Sequence, residues 1–232
     1  MRLFAWNIRQ GGGSRLPRIA DALARHEANI LVLSEYRGGE AAGRLRAALA
    51  LLGYRYATAI SPPPGRSGVL IAARCAFRDL GPVGVGLPEP YRMVIAEFPA
   101  FQLAGIYMPN LLAKVPYWEA LIATLRRGNG GHALAVGDFN TCRPYLDEAG
   151  AIDKCAHYMD RIAEIGFCDL WRRPIRTFAN FPGSALAETG SASTTPSCRA
   201  LWPRAPARSG IRTTSAFAGL SDHSPLILEL RI

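Results

Sequence analysis

The sequence contains no run of apolar residues long enough to cross a lipid bilayer. Its first residues, Met1 to Asn7, are typical of a β-strand and lack the long apolar stretch and small-residue cleavage site of a secretory signal. These two absences argue against membrane-spanning helices and against secretion. We therefore expect a cytoplasmic protein without a membrane partner.

Close pairs of cysteines, which mark many zinc sites and disulfide frameworks, are also missing. The five cysteines are scattered along the chain at positions 75, 142, 155, 168 and 198. An odd number of separated cysteines in a cytoplasmic protein favours reduced thiols that pack as small apolar side chains. The sequence thus predicts neither a cysteine zinc site nor disulfide cross-links.

Acidic residues are scarcer than basic ones, since 18 Asp and Glu stand against 27 Lys and Arg, for a formal net charge of +9. Nearly all of the positive charge comes from arginine, whose planar guanidinium suits phosphate oxygens. This balance favours a polyanionic partner such as nucleic acid. Arginine-rich sequences are also common in proteins from GC-rich genomes, so charge alone selects no function.

The chain has 232 residues, of which 49% are hydrophobic, so it can bury one large core. Predicted strands and helices are interleaved along it, without a repeat or a separate linker; the strands include Ser67–Ala73, Phe101–Tyr107 and Leu226–Leu230. We therefore predict a single domain over residues 1–232, of the α/β or α+β class, with sheets covered by helices. No feature indicates an obligate protein partner, and we expect a monomer.

One predicted strand, His132 to Val136, organises the rest of the chain, because it delivers a cluster of polar groups. It runs into Gly137, where we predict a tight turn, and then into Asp138, Phe139 and Asn140. Alternate side chains of an extended chain share one face, so the carboxylate and the carboxamide can point together. Such a pair can position a water and an anionic oxygen. The alternative is a capping aspartate in a β-turn.

Polar side chains lie at the ends of five predicted strands, namely Asn7, Glu35, Tyr107 with Asn110, Asp138 with Asn140, and Asp222 with His223. Sites in layered α/β proteins form where strand ends converge, so this repetition predicts one shared pocket. Glu35 and Asp222 offer hard oxygen ligands, which favour Mg²⁺ or Mn²⁺ over zinc. A divalent cation beside a histidine and an Asp-x-Asn pair is suited to hydrolysis of phosphate esters.

Five short motifs resemble, in order and rough spacing, those of the endonuclease/exonuclease/phosphatase family, especially its exodeoxyribonuclease III-like and AP-endonuclease-like branch. They extend over nearly the whole chain and are Trp6-Asn7-Ile8, Ser34-Glu35, Tyr107-Met108-Pro109-Asn110, Gly137-Asp138-Phe139-Asn140 and Ser221-Asp222-His223-Ser224-Pro225. The resemblance implies a four-layer α/β (α+β) sandwich of the DNase I-like kind, in which two mixed β-sheets lie face to face between helices. It also implies Mg²⁺-dependent hydrolysis of phosphodiester bonds, with DNA as the expected substrate of an endonuclease or exonuclease.

By matching position, the resemblance assigns metal binding to Glu35, with Asn7 and Asp222 beside it. It places Tyr107 and Asn110 against the substrate phosphate, and Asn7 close to both phosphate and metal. The expected cofactor is Mg²⁺, with Mn²⁺ as the alternative ion.

The resemblance gives the chemistry itself to three further residues. Asp138 activates the attacking water, and Asn140 helps to place the scissile group. His223 stabilises the phosphoryl oxygens in the transition state. The resemblance therefore describes metal-assisted attack by an activated water.

The segment 181–219 departs from the family pattern, which has an aspartate there that orients the histidine. This segment contains no aspartate, and its composition predicts irregular or disordered chain. Back-translation of Glu188 to Arg199, with the reading frame moved by one base, permits Gly-Asn-Gly-Phe-Arg-Ile-Asp-His-Ala-Phe-Val-Ser. We therefore hypothesise a compensated frameshift, which predicts a pair of indels around codons 178–187 and 215–219 relative to the genes of close relatives.

Two other functions stay open from the sequence. The same site would serve a phosphatase or phosphodiesterase that acts on a small phosphorylated molecule or lipid headgroup. Alternatively, the aberrant segment would leave a catalytically impaired remnant that only binds nucleic acid. Trp118, on the helix after Asn110, is interpreted as a packing residue rather than a base-stacking one.

Overall fold

The computed structural model describes residues 1–127, 133–147, 150, 152–170, 198–203, 209–213 and 219–230. These residues form twelve strands and four α-helices. The strands are β1 (Arg2–Asn7), β2 (Ile30–Arg37), β3 (Tyr56–Thr58), β4 (Ser67–Ala73), β5 (Arg78–Pro82), β6 (Met93–Phe98), β7 (Phe101–Tyr107), β8 (Ala133–Asp138), β9 (Phe167–Asp169), β10 (Cys198–Pro203), β11 (Ser209–Thr213) and β12 (Leu226–Leu230). The helices are α1 (Leu16–His26), α2 (Glu40–Leu51), α3 (Val115–Arg127) and α4 (Tyr158–Glu164).

The strands form two six-stranded mixed sheets. Sheet A has the order β11-β12-β1-β2-β4-β3, and sheet B has the order β5-β6-β7-β8-β10-β9. Each sheet has one parallel pair near its centre, β1 with β2 in sheet A and β7 with β8 in sheet B. The remaining pairs among the described strands are antiparallel. In each sheet, the carboxyl ends of two neighbouring strands therefore lie side by side.

The two sheets pack face to face, and helices cover their outer faces. Alternate residues of both sheets fill the space between them, including Leu3 and Ile71 of sheet A and Leu103 and Val136 of sheet B. Helices α1 and α2 pack on the other face of sheet A, and α3 and α4 pack on the other face of sheet B. The four-layer sandwich predicted from the sequence is therefore confirmed.

Helix α3 shows why the outer layers form. Its buried side chains Trp118, Leu121, Ile122 and Leu125 recur at helical spacing, which makes one apolar stripe that faces sheet B. The Trp118 ring is fully buried, stacks on Tyr158 and lies 5.4 Å from the ring of Phe139. The interpretation of Trp118 as a packing residue is confirmed.

The prediction of a tight turn at Gly137 is wrong, because β8 continues through Gly137 to Asp138. Both residues pair in register with β7, opposite Ile106 and Tyr107. The ladder satisfies the backbone groups of Gly137, and this outweighs the general preference of glycine for turns. Asp138 is consequently the last residue of a central strand, which fixes its backbone on both sides.

The prediction that 181–219 is irregular is wrong for two of its parts. Cys198–Pro203 is strand β10, antiparallel to β8 and β9, and Ser209–Thr213 is strand β11, antiparallel to β12. Hydrogen bonds to neighbouring strands determine the extended conformation of these two segments, although the segments contain few of the residues that favour strands. The rest of 181–219, at 181–197, 204–208 and 214–218, lies outside the described residues.

Two further sequence predictions concern membrane-spanning helices and the state of the cysteines. None of the described helices has the length and apolar character that crossing a membrane requires. The four cysteines whose side chains are described, at positions 75, 142, 155 and 168, carry free thiols.

Candidate active site

The two parallel pairs end at the same place in the sandwich, and this brings the predicted site residues together. Asn7 ends β1 and Asp138 ends β8, and the Asn7 Nδ2 donates a hydrogen bond of 2.8 Å to Asp138 Oδ2 across the sheets. A second bond crosses the interface beside it, from Ser34 Oγ to the carbonyl oxygen of Ile106 at 3.0 Å. The site therefore lies between the sheets, at the carboxyl ends of β1, β2, β7 and β8.

Asn7 connects two carboxylates. Its Nδ2 also donates to Glu35 Oε1 at 3.1 Å, while its Oδ1 accepts the backbone N–H of Arg9 at 2.9 Å. The side chain is buried, with 1% of the residue exposed. A donor placed between Glu35 and Asp138 offsets part of the repulsion between their charges.

A β-bulge in β2 aims Glu35 into the site. The register with β4 shifts between Ser34 and Tyr36, so Glu35 is the extra residue, and its φ is 59°. A bulge breaks the regular alternation of side chains, and a positive φ in a non-glycine residue costs energy that the surrounding structure must supply. The backbone N–H of Gln10 donates to Glu35 Oε2 at 2.7 Å and holds the carboxylate in place.

Asp138 is the most buried acid of the site, with 1% of the residue exposed. Its Oδ2 accepts from Asn7 and faces His223 Nε2 at 3.7 Å, and its Oδ1 accepts the backbone N–H of Asn140 at 3.0 Å. Burial raises the pKa of this carboxyl, and Glu35 acts in the same direction, whereas His223 and the hydrogen bonds to Asn7 and Asn140 lower it. Asp138 is thus a buried carboxyl with defined partners on both oxygens.

Asn140 follows directly in a left-handed conformation, with a φ of 45°. Its Nδ2 donates to the carbonyl oxygen of Met108 at 2.6 Å, which links the loop after β8 to the loop after β7. The bond from its backbone N–H to Asp138 forms the local turn that is the alternative interpretation of this sequence. The turn sets Asn140 beside Asp138, and the functional role of the pair stays a prediction.

Tyr107 and Asn110 come from the end of β7. Tyr107 is half-buried, and its pKa is raised to about 12 by burial and by the charges of Glu35 and Asp138, against the opposing charge of Arg92. The phenol is therefore neutral at pH 7 and can donate a hydrogen bond. Asn110 is exposed at the start of the short 3-10 helix Leu111–Lys114 and makes no capping bond to it.

His223 enters the site from the loop that precedes β12. Its Nδ1 lies 3.0 Å from Asp222 Oδ1, and its Nε2 faces Asp138. Asp222 Oδ2 lies 3.8 Å from Arg9 Nε. A carboxylate on one ring nitrogen fixes the orientation of the ring and directs the other nitrogen towards the pocket.

Two hydrogen bonds hold the loop that carries His223 against β1. Trp6 Nε1 donates to the carbonyl oxygen of His223 at 2.8 Å, and Ser221 Oγ donates to the carbonyl oxygen of Asn7 at 2.7 Å. Ser221 Oγ also accepts the backbone N–H of His223 at 3.1 Å. The first strand therefore contributes Asn7 directly and positions His223 through two anchors.

The donor set at this edge suits a hard cation. Within the described parts of the chain, no group of three or more His, Cys, Asp or Glu side chains forms a ready-made metal cluster. Mg²⁺ does not require one, because it commonly binds through one or two carboxylates and completes its shell with water and substrate phosphate. Glu35 is half-buried, and its carboxylate oxygens keep acceptor capacity beyond the bonds from Asn7 and Gln10. The residues therefore fit Mg²⁺.

The sequence did not reveal two residues that support the site. The Arg92 guanidinium lies 4.7 Å above the Tyr107 ring, and its Nε contacts Glu89 Oε2 at 2.6 Å. Lys114 is buried and contacts the backbone of Asn140. No sequence signal separates Arg92 from the many other arginines, whereas Lys114 is one of only two lysines in the chain.

A four-layer sandwich that brings carboxylates, amides and a histidine to one inter-sheet edge is suited to the hydrolysis of phosphate esters. The chain belongs to the endonuclease/exonuclease/phosphatase family, because the sequence profile of that family matches residues 4–223. A search of curated protein sequences gives no match.

Solved structures share the fold over the whole chain. An AP endonuclease from Archaeoglobus fulgidus matches with a TM-score of 0.77 and 19% identity, and a 3'-5' exonuclease from Neisseria meningitidis with 0.78 and 20%; both matches cover 100% of both chains. An endonuclease/exonuclease/phosphatase from Beutenbergia cavernae matches with a TM-score of 0.70 and 17% identity, over 100% of this chain and 71% of the other. At these identities the similarity establishes the fold.

Proposed function

We propose that the protein hydrolyses phosphodiester bonds in DNA by attack of a water that Asp138 activates, with Mg²⁺ as the cofactor. The observation that supports this most is the meeting of Asn7, Glu35, Asp138 and His223 across the two sheets. These residues lie on β1, on β2, on β8 and before β12, and only a shared site gives a reason for their convergence.

The side chains divide the chemistry between them. Asp138 accepts the proton of the attacking water, and burial, which raises its pKa, makes it a stronger base than an exposed aspartate. The neutral phenol of Tyr107 donates to a phosphate oxygen, and His223 Nε2 stabilises the phosphoryl oxygens in the transition state. Asn110 contacts the phosphate, and Asn140 places the scissile group. Asn7, whose two N–H donors are bound to Glu35 and Asp138, contacts the phosphate once one of these bonds is released. The cation would be held by Glu35, with Asp222 and Asn7 beside it, and would supply positive charge to the developing oxyanion.

DNA is the proposed substrate for two reasons. The net charge of +9 favours a polyanion, and structures with the same fold include an AP endonuclease and a 3'-5' exonuclease. We also propose a cytoplasmic monomer without a membrane or obligate protein partner. Light scattering on the purified protein tests the oligomeric state.

The purified protein should cleave a duplex with an abasic site or a recessed 3' end in Mg²⁺, and EDTA should abolish cleavage. Parallel reactions with a nucleoside monophosphate and an inositol phosphate test the alternative of a small phosphorylated substrate. Cleavage of DNA in EDTA would contradict the metal-assisted mechanism. Hydrolysis of the small substrates alone would replace DNA with that class.

Glu35→Gln should raise the Mg²⁺ concentration for half-maximal activity by more than about tenfold, which corresponds to ~1.4 kcal/mol of binding free energy. The amide keeps the size of the side chain but removes the charge that attracts the cation. Calorimetry with Mg²⁺ alone should detect the same loss without substrate. Glu164→Gln, at an exposed position on α4, is the matched control. Equal Mg²⁺ affinity in the two variants would remove Glu35 from the metal site.

Asp222→Asn separates two roles of that residue. Asparagine keeps an oxygen that can accept from His223 Nδ1, but it has no charge for the cation. If Asp222 binds the metal, the variant should need about 10- to 100-fold more Mg²⁺ while saturating Mg²⁺ restores most of the turnover. An unchanged Mg²⁺ requirement would remove Asp222 from the metal site.

A further inference from the structure

Lys114 is a buried cation beside the site, with only 3% of its side chain exposed. It ends the short 3-10 helix that follows Asn110, and its Nζ donates to the backbone carbonyl oxygen of Asn140 and to Asp153 Oδ2, the latter at 3.0 Å. The sequence contains only one other lysine, Lys154, and otherwise uses arginine for positive charge. A compact ammonium fits one carbonyl and one carboxylate in a confined space, where a guanidinium fork does not.

Asp153 holds this ammonium and is itself fixed by the backbone. Its side chain is 10% exposed, its Oδ2 also accepts the backbone N–H of Cys142 at 3.1 Å, and its Oδ1 accepts the backbone N–H of Cys155 at 2.8 Å. The carboxylate therefore joins the two ends of the segment between β8 and α4. Lys114 extends that link to the segment that follows β7.

The backbone and side chain of Asn140 are constrained from three directions. Its N–H is bound to Asp138, its carbonyl oxygen to Lys114, and its Nδ2 to the carbonyl oxygen of Met108. Its φ of 45° is a conformation that a non-glycine residue adopts only when its surroundings impose it. Among the described residues, no hydrogen bond is made to Asn140 Oδ1. This oxygen is therefore available to a ligand.

We propose that Lys114, held by Asp153, is a positioning residue that fixes Asn140 and, through the Asn140 N–H, orients the Asp138 carboxylate. A buried ion pair carries a desolvation penalty, and well-packed apolar replacements are often as stable. Stability alone therefore does not explain why this pair lies against the site. The catalytic consequence rests on the proposed function, whereas the claim about the geometry of Asn140 stands by itself.

The double replacement Lys114→Met with Asp153→Asn separates positioning from stability, because it removes both charges while the asparagine oxygen still accepts the backbone N–H of Cys155. We expect a melting temperature close to that of the wild type, together with a fall of about 100-fold in kcat and a small change in KM, because misplacement of a site residue acts on the reacting geometry. The matched control replaces the exposed pair of Glu40 and Arg44 on α2 by Gln and Met, and should leave kcat unchanged. A stable double variant with the kcat of the wild type would overturn the proposal.

An NMR measurement tests the geometry without turnover. In the wild type, a side-chain amide proton of Asn140 bound to Met108 should exchange slowly with solvent; its signal is identified by its loss in Asn140→Asp. The double variant should exchange this proton at least tenfold faster, and unchanged exchange would contradict the proposal. If the double variant does not fold, Lys114→Arg is measured in the same way, with the same two outcomes. A wild type that cleaves no DNA would refute the proposed function, and the exchange rate would still decide the role of Lys114.

Discussion

Asp138→Asn should lower the turnover number by about 10³- to 10⁴-fold and leave the protein folded. Asparagine has the shape of aspartate but only one carbonyl oxygen, so it can accept either from Asn7 or from the Asn140 N–H, and it cannot take a proton from water. Burial raises the pKa of Asp138, which means that the folded protein disfavours its charge. Removal of the buried charge therefore offsets the loss of one hydrogen bond, and we expect a melting temperature close to that of the wild type.

The contrast between activity and stability is the informative part of this experiment. Single-turnover kinetics under saturating Mg²⁺ measure the chemical step, and calorimetry measures the melting temperature. Asp21→Asn, at an exposed position on α1, is the control and should change neither. Turnover within tenfold of the wild type would exclude Asp138 as the base.

Gly137→Ala should destabilise the fold by more than about 4 kcal/mol, which is exceptional for one methyl group. An added Cβ would lie 2.0 Å from the carbonyl oxygen of Ile106 and 2.9 Å from its carbonyl carbon. Both atoms belong to the backbone of β7, so no side-chain rotation can relieve the contact, and the φ of 141° adds strain. Thermal unfolding should show a fall of more than about 10 °C, since each kcal/mol shifts the midpoint by roughly 2–4 °C in a domain of this size.

Gly43→Ala is the matched control. Gly43 lies inside α2, and an added Cβ there meets no atom within 4 Å. Alanine should stabilise this helix by about 0.5–1 kcal/mol, because it loses less backbone entropy on folding. Similar changes in the free energy of unfolding at the two positions would show that β7 does not lie against Gly137.

The sequence predicted the sandwich well where local signals agree with pairing. The predicted bounds of three strands are those observed, at Ser67–Ala73, Phe101–Tyr107 and Leu226–Leu230. Each is a short apolar run bounded by turn residues, so burial and local preference favour the same conformation. The motif order also predicted the fold. Four motifs lie at the carboxyl ends of strands, and the fifth precedes β12, which runs antiparallel to β1 and so begins at the same place.

The rest depended on contacts between distant segments. No sequence signal in Ser34-Glu35-Tyr36 predicts the bulge that turns Glu35 into the site, because the bulge depends on pairing with β4. The continuation of β8 through Gly137 depends on β7 in the same way. Strands β10 and β11 form against β8 and β12 despite a composition that predicted irregular chain. The frameshift hypothesis concerns the gene and stays a prediction, which sequencing of that region tests.

The bond between Asn7 and Asp138 has a thermodynamic consequence. Asn7 belongs to sheet A and Asp138 to sheet B. A ligand that contacts residues of both sheets at this site therefore stabilises the packing of one sheet against the other. Occupancy at a hundred times the dissociation constant would add about 2.7 kcal/mol to the free energy of unfolding. Melting curves recorded with candidate ions and oligonucleotides should therefore rank ligands of the pocket, even for variants that have lost all turnover.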